Sequence, residues 1–228
     1  MDEPTLRENI ERVQERIAAA ERRAGRSNEV ALIAVSKTHP AHAIAAAFRG
    51  GLTRFGENRV EELGAKAEAL RELPVEWHMV GHLQSRKAAD VFPWASLVHS
   101  VDTIKLAGRL SRAAASAQTL PILLQVNVSG ETSKEGFAPE EVPAAVAIIA
   151  ALPGLRIDGL MTMAPIADDP EHARPVFRAL RGLRDGLARQ FPQIGWTHLS
   201  MGMTDDFEVA IEEGATLVRV GRAIFGER

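Results

Sequence analysis

The sequence predicts an α/β fold: a single TIM-type (β/α)8 barrel with an extra N-terminal helix. Three observations lead there. β-rich runs recur at 30–36, 53–56, 76–81, 96–101, 121–129, 155–161, 195–200 and 216–221. Stretches of helical composition separate them, most clearly at 139–151 and 170–189. Strands alternating with helices argue for a parallel sheet, and 228 residues lie near the lower size limit of a closed eight-fold barrel. A doubly wound open sheet is the competing arrangement, and periodicity alone does not exclude it. No low-complexity linker divides the chain, so residues 1–228 read as one domain.

The chain opens with Leu6, Ile10, Val13 and Ile17 at helical spacing, with Arg and Glu between them. This is an amphipathic helix ending near Gly25, and residues 1–25 are expected to cover one side or end of the barrel. The first β-run, VALIAVS, leads directly into Lys37. Strand alternation puts Lys37 on the face of Ala31, Ile33 and Val35. If that face lines the interior, the amine stands in the mouth of a partly dry cavity. Burial there favours the neutral amine, the nucleophile for a Schiff base. A solvated lysine at a strand end is the plain alternative.

Active sites of such barrels gather at the C-terminal ends of the strands. The second run leads into Glu57 and Asn58, the third into Gly81 and His82, and the fourth ends near Ser100. The fifth carries Gln125 and Asn127, the sixth ends at Met161 and Thr162, and the seventh at His198 and Ser200.

Two segments suggest a phosphate cradle. In SMGMTDDFEVAI (200–211), Ser200, Gly202 and Thr204 precede a helix, with Thr204 as expected N-cap and Asp205 and Asp206 in its first turn. Hydroxyls and a glycine at a helix start suit an anion, although an ordinary capped helix would look the same. In VRVGRAIFG (218–226), Gly221 follows the last strand and opens a short helix. Barrels often bind phosphate with the loops after strands seven and eight. Arg219 alternates with Leu217 towards the interior, where it needs an acceptor. That acceptor is either an internal carboxylate, Asp158 or Glu57, or an atom of a ligand.

Composition narrows the function further. The chain is 46% apolar and 25% charged, as ordinary globular proteins are. A net charge of −3 does not point to nucleic acid or to an acidic membrane surface. The absence of cysteine excludes thiol catalysis and Cys-ligated zinc. The charged N-terminus and the lack of a long apolar run lead us to expect a cytoplasmic protein. His78, His82 and His99 lack the spacing of a zinc signature, so no metal is expected and the three read as structural. Lys134 reads as a solvated loop lysine.

The chain resembles the pyridoxal phosphate homeostasis proteins, whose barrel is similar to the N-terminal domain of alanine racemase. The matching stretches are AVSKTHP (34–40), FGENRVEE (55–62), WHMVGHLQSRK (77–87), HSVD (99–102), QVNVSGETSKEG (125–136), GLMTMAP (159–165), LSMGMTDDFEVAI (199–211) and VRVGRAIFG (218–226). They span nearly the whole chain in the family's order. The resemblance implies pyridoxal 5′-phosphate (PLP) on Lys37 as a Schiff base. It implies phosphate contacts from Ser200, Gly202, Thr204 and Gly221, and Arg219 at the pyridine nitrogen. Asn58 and Met161 would line the pocket. It further implies control of PLP supply, with apo PLP-dependent enzymes as possible recipients and no established turnover.

Two other functions are weighed against this one. A PLP-dependent racemase or decarboxylase would use the same lysine. Racemisation needs a base on each face of the substrate carbon, and in alanine racemase the second is a tyrosine from a further domain. These residues contain no tyrosine and no sign of that domain, so an open, water-accessible mouth and a monomer are expected. A barrel enzyme acting on a phosphorylated metabolite through Lys37, without PLP, is the other.

Overall fold

Asp2 starts the first helix: its carboxylate accepts from the Thr5 N–H at 3.0 Å, as short acidic side chains do at a helix N-terminus. The computed structural model describes residues 2–27, 29–114, 119–131 and 134–227. Helix α1 (Glu3–Arg23) ends just before Gly25, whose φ of +67° suits the residue that closes a helix. The apolar stripe Leu6, Ile10, Val13 and Ile17 is buried as its spacing predicts.

Parallel strands follow: β1 (Ala31–Val35), β2 (Arg54–Glu57), β3 (Glu76–Met79), β4 (Ala95–Val101), β5 (Leu120–Gln125), β6 (Leu155–Met161), β7 (His198–Ser200) and β8 (Leu217–Val220). The sheet closes in sequence order, with β8 pairing β1 so that Ala31 faces Leu217 and Ile33 faces Arg219. Closure removes the open-sheet alternative. Between the strands lie α2 (Ala41–Arg49), α3 (Val60–Ala69), α4 (Ala88–Val91), α5 (Ile104–Ala114), α6 (Val142–Ile149), α7 (Arg174–Gln190) and α8 (Phe207–Glu212); α9 (Arg222–Phe225) follows β8.

Alternation along the strands produces two apolar layers. One lies between strands and helices and includes Ala34, Phe55, Trp77 and Leu199. The other fills the barrel with Ile33, Val80, Leu97, Leu123, Met161 and Leu217. Lys37 and Arg219 thus continue the inward rows of β1 and β8, as the sequence predicts. Helix α1 packs on α8, α9 and α2, beside the seam where β8 meets β1. Arg16 and Arg23 pair there with Glu208, and Arg23 also with Glu212. The helix therefore covers a side of the barrel rather than an end.

Some boundaries differ from expectation, each for a local reason. β7 begins at His198, not at residue 195, because Trp196 and Thr197 donate within a tight turn to Ile194 O and Gly195 O. β5 ends at Gln125, not at residue 129, because Asn127 turns the chain: its Oδ1 accepts from Gly130 N–H at 3.1 Å. Thr204 is not the N-cap of its helix. Helix α8 starts at Phe207 with Asp206 in the cap position, and the Asp206 carboxylate turns back to accept from Met203 N–H at 2.6 Å. Among the described residues no helix is long and apolar enough to cross a membrane.

Candidate functional site

At the C-terminal end of the strands lies an open cleft of about 1080 Å³. Lys37, Asn58, Thr204, Arg219 and Gly221 all line it. Five of the eight residues singled out in the sequence therefore meet at one surface. The other three stand just beneath. Met161 is fully buried in the interior layer, next to Ser200 in the β6–β7 ladder. Ser200 is fully buried with its hydroxyl engaged by His99 and Arg219. Gly202 is buried too, at φ +91°, and a Cβ there would meet Ala210 Cβ at 2.6 Å and Phe207 Cα at 2.8 Å. No side chain fits at that φ without moving helix α8.

The turn that presents Lys37 is held by a cluster absent from the sequence reading. Ser36 Oγ donates to Glu57 Oε1 at 2.7 Å, and Lys66 Nζ donates to the same oxygen at 2.7 Å. Lys66 Nζ also donates to Ser36 O at 2.9 Å and to Glu62 Oε2 at 3.2 Å. Glu62 Oε2 in turn accepts from Thr38 N–H at 2.9 Å. Both residues flanking Lys37 are thus pinned from α3. Thr38 adopts φ +67°, a left-handed conformation that costs a β-branched residue energy unless its surroundings hold it. Burial pushes the Glu57 carboxyl up, with Lys66 and Ser36 opposing.

Arg219 rises from β8 into the barrel and is 5% exposed. Its Nη2 donates to Thr162 O at 2.9 Å and its Nη1 to Ser200 Oγ at 2.5 Å. Neither expected carboxylate reaches it: Asp158 pairs with Arg156, and Glu57 pairs with Lys66 on the outer face of the sheet. Burial lowers the guanidinium pKa to about 10, with only the field of Asp206 acting against it. A cation that stays charged at neutral pH, has no direct counter-ion among the described residues and lines a cleft suits an anionic or acceptor ligand.

The residues around these groups leave little slack. A Cβ at Gly81 would lie 2.5 Å from Asn58 Cα and O, so this glycine lets the Asn58 backbone reach the cleft. A Cβ at Gly221 would lie 3.1 Å from Val35 O, so this turn packs directly on the strand bearing Lys37. Across the mouth the wall is acidic: His82 Nδ1 lies 2.8 Å from Glu135 and 3.3 Å from Asp102. His82 and Glu135 line the cleft; the sequence places His82 at this end of the barrel but gives Glu135 no part in it. Lys134 pairs with Glu131 and does not line it. Residues 132 and 133 of the same motif lie outside the described residues.

The family model described as alanine racemase, N-terminal domain, matches residues 4–228. Curated relatives share the name pyridoxal phosphate homeostasis protein. That of Pseudomonas aeruginosa is 45% identical over 226 residues, covering 98% of this chain and 96% of its own. That of Aquifex aeolicus is 44% identical over 223 residues, covering 97% of each. Among solved structures, PipY of Synechococcus elongatus with PLP bound superposes with a TM-score of 0.82 at 38% identity, over 92% of this chain and 100% of its own. Alanine racemase of Corynebacterium glutamicum shares the fold, with a TM-score of 0.71 at 19% identity, over 100% of this chain and 62% of its own. The sequence and the barrel together place the chain in the pyridoxal phosphate homeostasis protein family.

Proposed function

We propose that this protein binds PLP through a Schiff base on Lys37 and supplies it to other proteins, with no dedicated turnover of its own. The observation that carries the proposal is the pairing of two groups at one cleft. A lysine amine at the end of β1 and a buried arginine on the adjoining β8, with no carboxylate partner among the described residues, face the same space. PLP, when bound, supplies an aldehyde for the lysine, a pyridine nitrogen for the arginine and a phosphate dianion. In this reading Thr204 and Gly221 face the phosphate at the end of the mouth nearest β7 and β8, and Gly202 gives the turn its close packing. Ser200 acts through Arg219, while Asn58 and Met161 bound the ring from the side and from below.

Arg219 remains protonated at neutral pH, so it donates to the ring nitrogen and opposes a proton there. The residues of this site then make the ring a weak electron sink. The open mouth leaves the lysine accessible to water and to incoming amines. Both features favour holding and exchanging the cofactor over controlled carbanion chemistry.

The test mixes the PLP-loaded protein with an apo PLP-dependent enzyme while a phosphatase destroys free PLP. Recovery of the acceptor's activity despite the phosphatase is the expected result. Recovery seen only without the phosphatase would mean that the protein releases PLP into solution and does not deliver it. A second expectation concerns the cradle. Thr204→Val is expected to weaken PLP binding about tenfold, the loss of roughly one hydrogen bond to a charged group. Pyridoxal binding, read by the same titration, should hardly change. Equal losses for both ligands would place the phosphate elsewhere.

A further inference from the structure

Beneath Arg219 a chain of hydrogen bonds crosses the barrel from β8 to β3. Arg219 Nη1 donates to Ser200 Oγ at 2.5 Å; Ser200 Oγ lies 2.8 Å from His99 Nδ1; His99 Nε2 lies 2.9 Å from His78 Nδ1. His78, His99, Ser200 and Arg219 are each 5% exposed or less. The far nitrogen, His78 Nε2, is buried and has no partner among the described residues.

A proton order for this chain can be built from its first member, the one group that can only donate. The Ser200 oxygen accepts from Arg219, and in this order the Ser200 proton goes to His99 Nδ1, the acceptor within reach among the described residues. His99 Nδ1 then accepts, and its proton sits on Nε2, which donates to His78 Nδ1. His78 in turn carries its proton on Nε2. A second proton on either ring is opposed by burial, which lowers the His78 pKa to about 3 and moves His99 down as well. The charged and titratable groups near the two rings are Arg219, His198 and Arg54, all of which disfavour added positive charge.

In this order the arrangement presents three neutral dipoles, each with its acceptor end turned towards Arg219. Oriented dipoles stabilise a buried cation without cancelling its charge, whereas a carboxylate partner would cancel it. We propose that His99 and His78, acting through Ser200, are positioning residues that keep Arg219 aimed and uncompensated, so that its full charge reaches a ligand acceptor in the cleft. The link to a ligand rests on the proposed PLP binding; the proton order does not.

Two measurements test this separately. Nitrogen-15 NMR of histidine-labelled protein without ligand reports the tautomer of each ring. His78 and His99 are expected to be neutral with the proton on Nε2 and unchanged from pH 5.5 to 8.5. A proton on Nδ1 of either ring, or titration in that range, would overturn the proposal. PLP titration of variants tests the consequence. His99→Phe, which breaks the chain, should raise the PLP Kd about tenfold and shift the pH dependence of the bound chromophore. His99→Gln, which can accept from Ser200 and donate to His78, should stay within about threefold of wild type. Equal losses in both folded variants would reduce His99 to a space-filling role and sink the proposal. Should the wild-type protein bind no PLP, the function proposed above fails, and the ligand part of this inference with it, while the tautomer measurement still decides the proton order.

Discussion

Borohydride reduction of the PLP-loaded protein is expected to leave one pyridoxyl group, on Lys37, and Lys37→Ala is expected to abolish it. The geometry excludes the competing lysines one by one. Lys66 is buried and shared among Glu57, Glu62 and Ser36. Lys87 pairs with Glu61, and Lys134 with Glu131. Lys105 is exposed on α5 and does not line the cleft. Only Lys37 combines an interior-facing row with a place in the cleft wall. Loss of the covalent bond should raise the PLP Kd by at least about 100-fold, equivalent to about 2.8 kcal/mol at 1.4 kcal/mol per decade, while the fold remains, because Lys37 is only half-buried at the cleft and its side chain makes no ion pair among the described residues. The readouts are the near-visible absorbance of the bound cofactor and peptide mass mapping. A pyridoxyl group found only on Lys87, Lys105 or Lys134 would sink the assignment.

Why Lys37 and Arg219 were legible in the sequence, and their surroundings less so, has a physical basis. Alternation is local: Ala31, Ile33 and Val35 fix the face of Lys37, and Leu217 fixes that of Arg219, once the runs are read as strands. The partners of Arg219 are not local. Ser200 and Thr162 come from other strands, and their approach depends on how the barrel closes, which no spacing along the chain encodes. The same holds for His78 and His99, which lie on β3 and β4 and meet only through the sheet. They appeared in the sequence as ordinary core histidines, and that description of their burial is correct.

Lys66 is different, because a local signal for it existed. It follows Leu63 by three residues and precedes Ala67, so it lies on the buried stripe of α3, where Val60, Leu63 and Ala67 are apolar. A lysine on such a stripe needs a carboxylate, and Glu62, four residues earlier, is within reach. The Thr204 cap shows the opposite failure. Thr204, Asp205 and Asp206 all suit a helix start, and the choice among them turned on the Asp206 side chain reaching back to Met203, which composition does not reveal.

Lys66→Met is expected to cost about 3–5 kcal/mol of stability at pH 8, the range for removing one member of a buried ion pair. Glu57 would keep only the Ser36 hydroxyl on Oε1, while its Oε2 already lacks a partner among the described residues. The sign of the pH dependence follows from Glu57. Its folded-state pKa is raised by burial even with Lys66 present, and without that cation it should rise further. A raised carboxyl pKa favours the folded state below the unfolded value and loses that contribution as pH rises through the folded one. The deficit of the variant should therefore be greatest at pH 8 and shrink on acidification towards pH 5, as the raised Glu57 carboxyl takes up a proton. Denaturant midpoints at both pH values measure it; an equal deficit at both, or one that grows on acidification, would rule out this account. Replacing both partners, as in Lys66→Met with Glu57→Met, should recover most of the stability, since paired apolar substitutes of similar volume are tolerated. It should not recover the turn. Without Lys66, Glu62 loses its own cation and the Ser36 carbonyl one of its two donors, keeping only the His39 N–H, so the left-handed Thr38 is held less firmly. The double variant is thus expected to be as stable as wild type within about 1 kcal/mol and yet to form the Lys37 chromophore more weakly, which separates the clamp's effect on Lys37 from its effect on the fold.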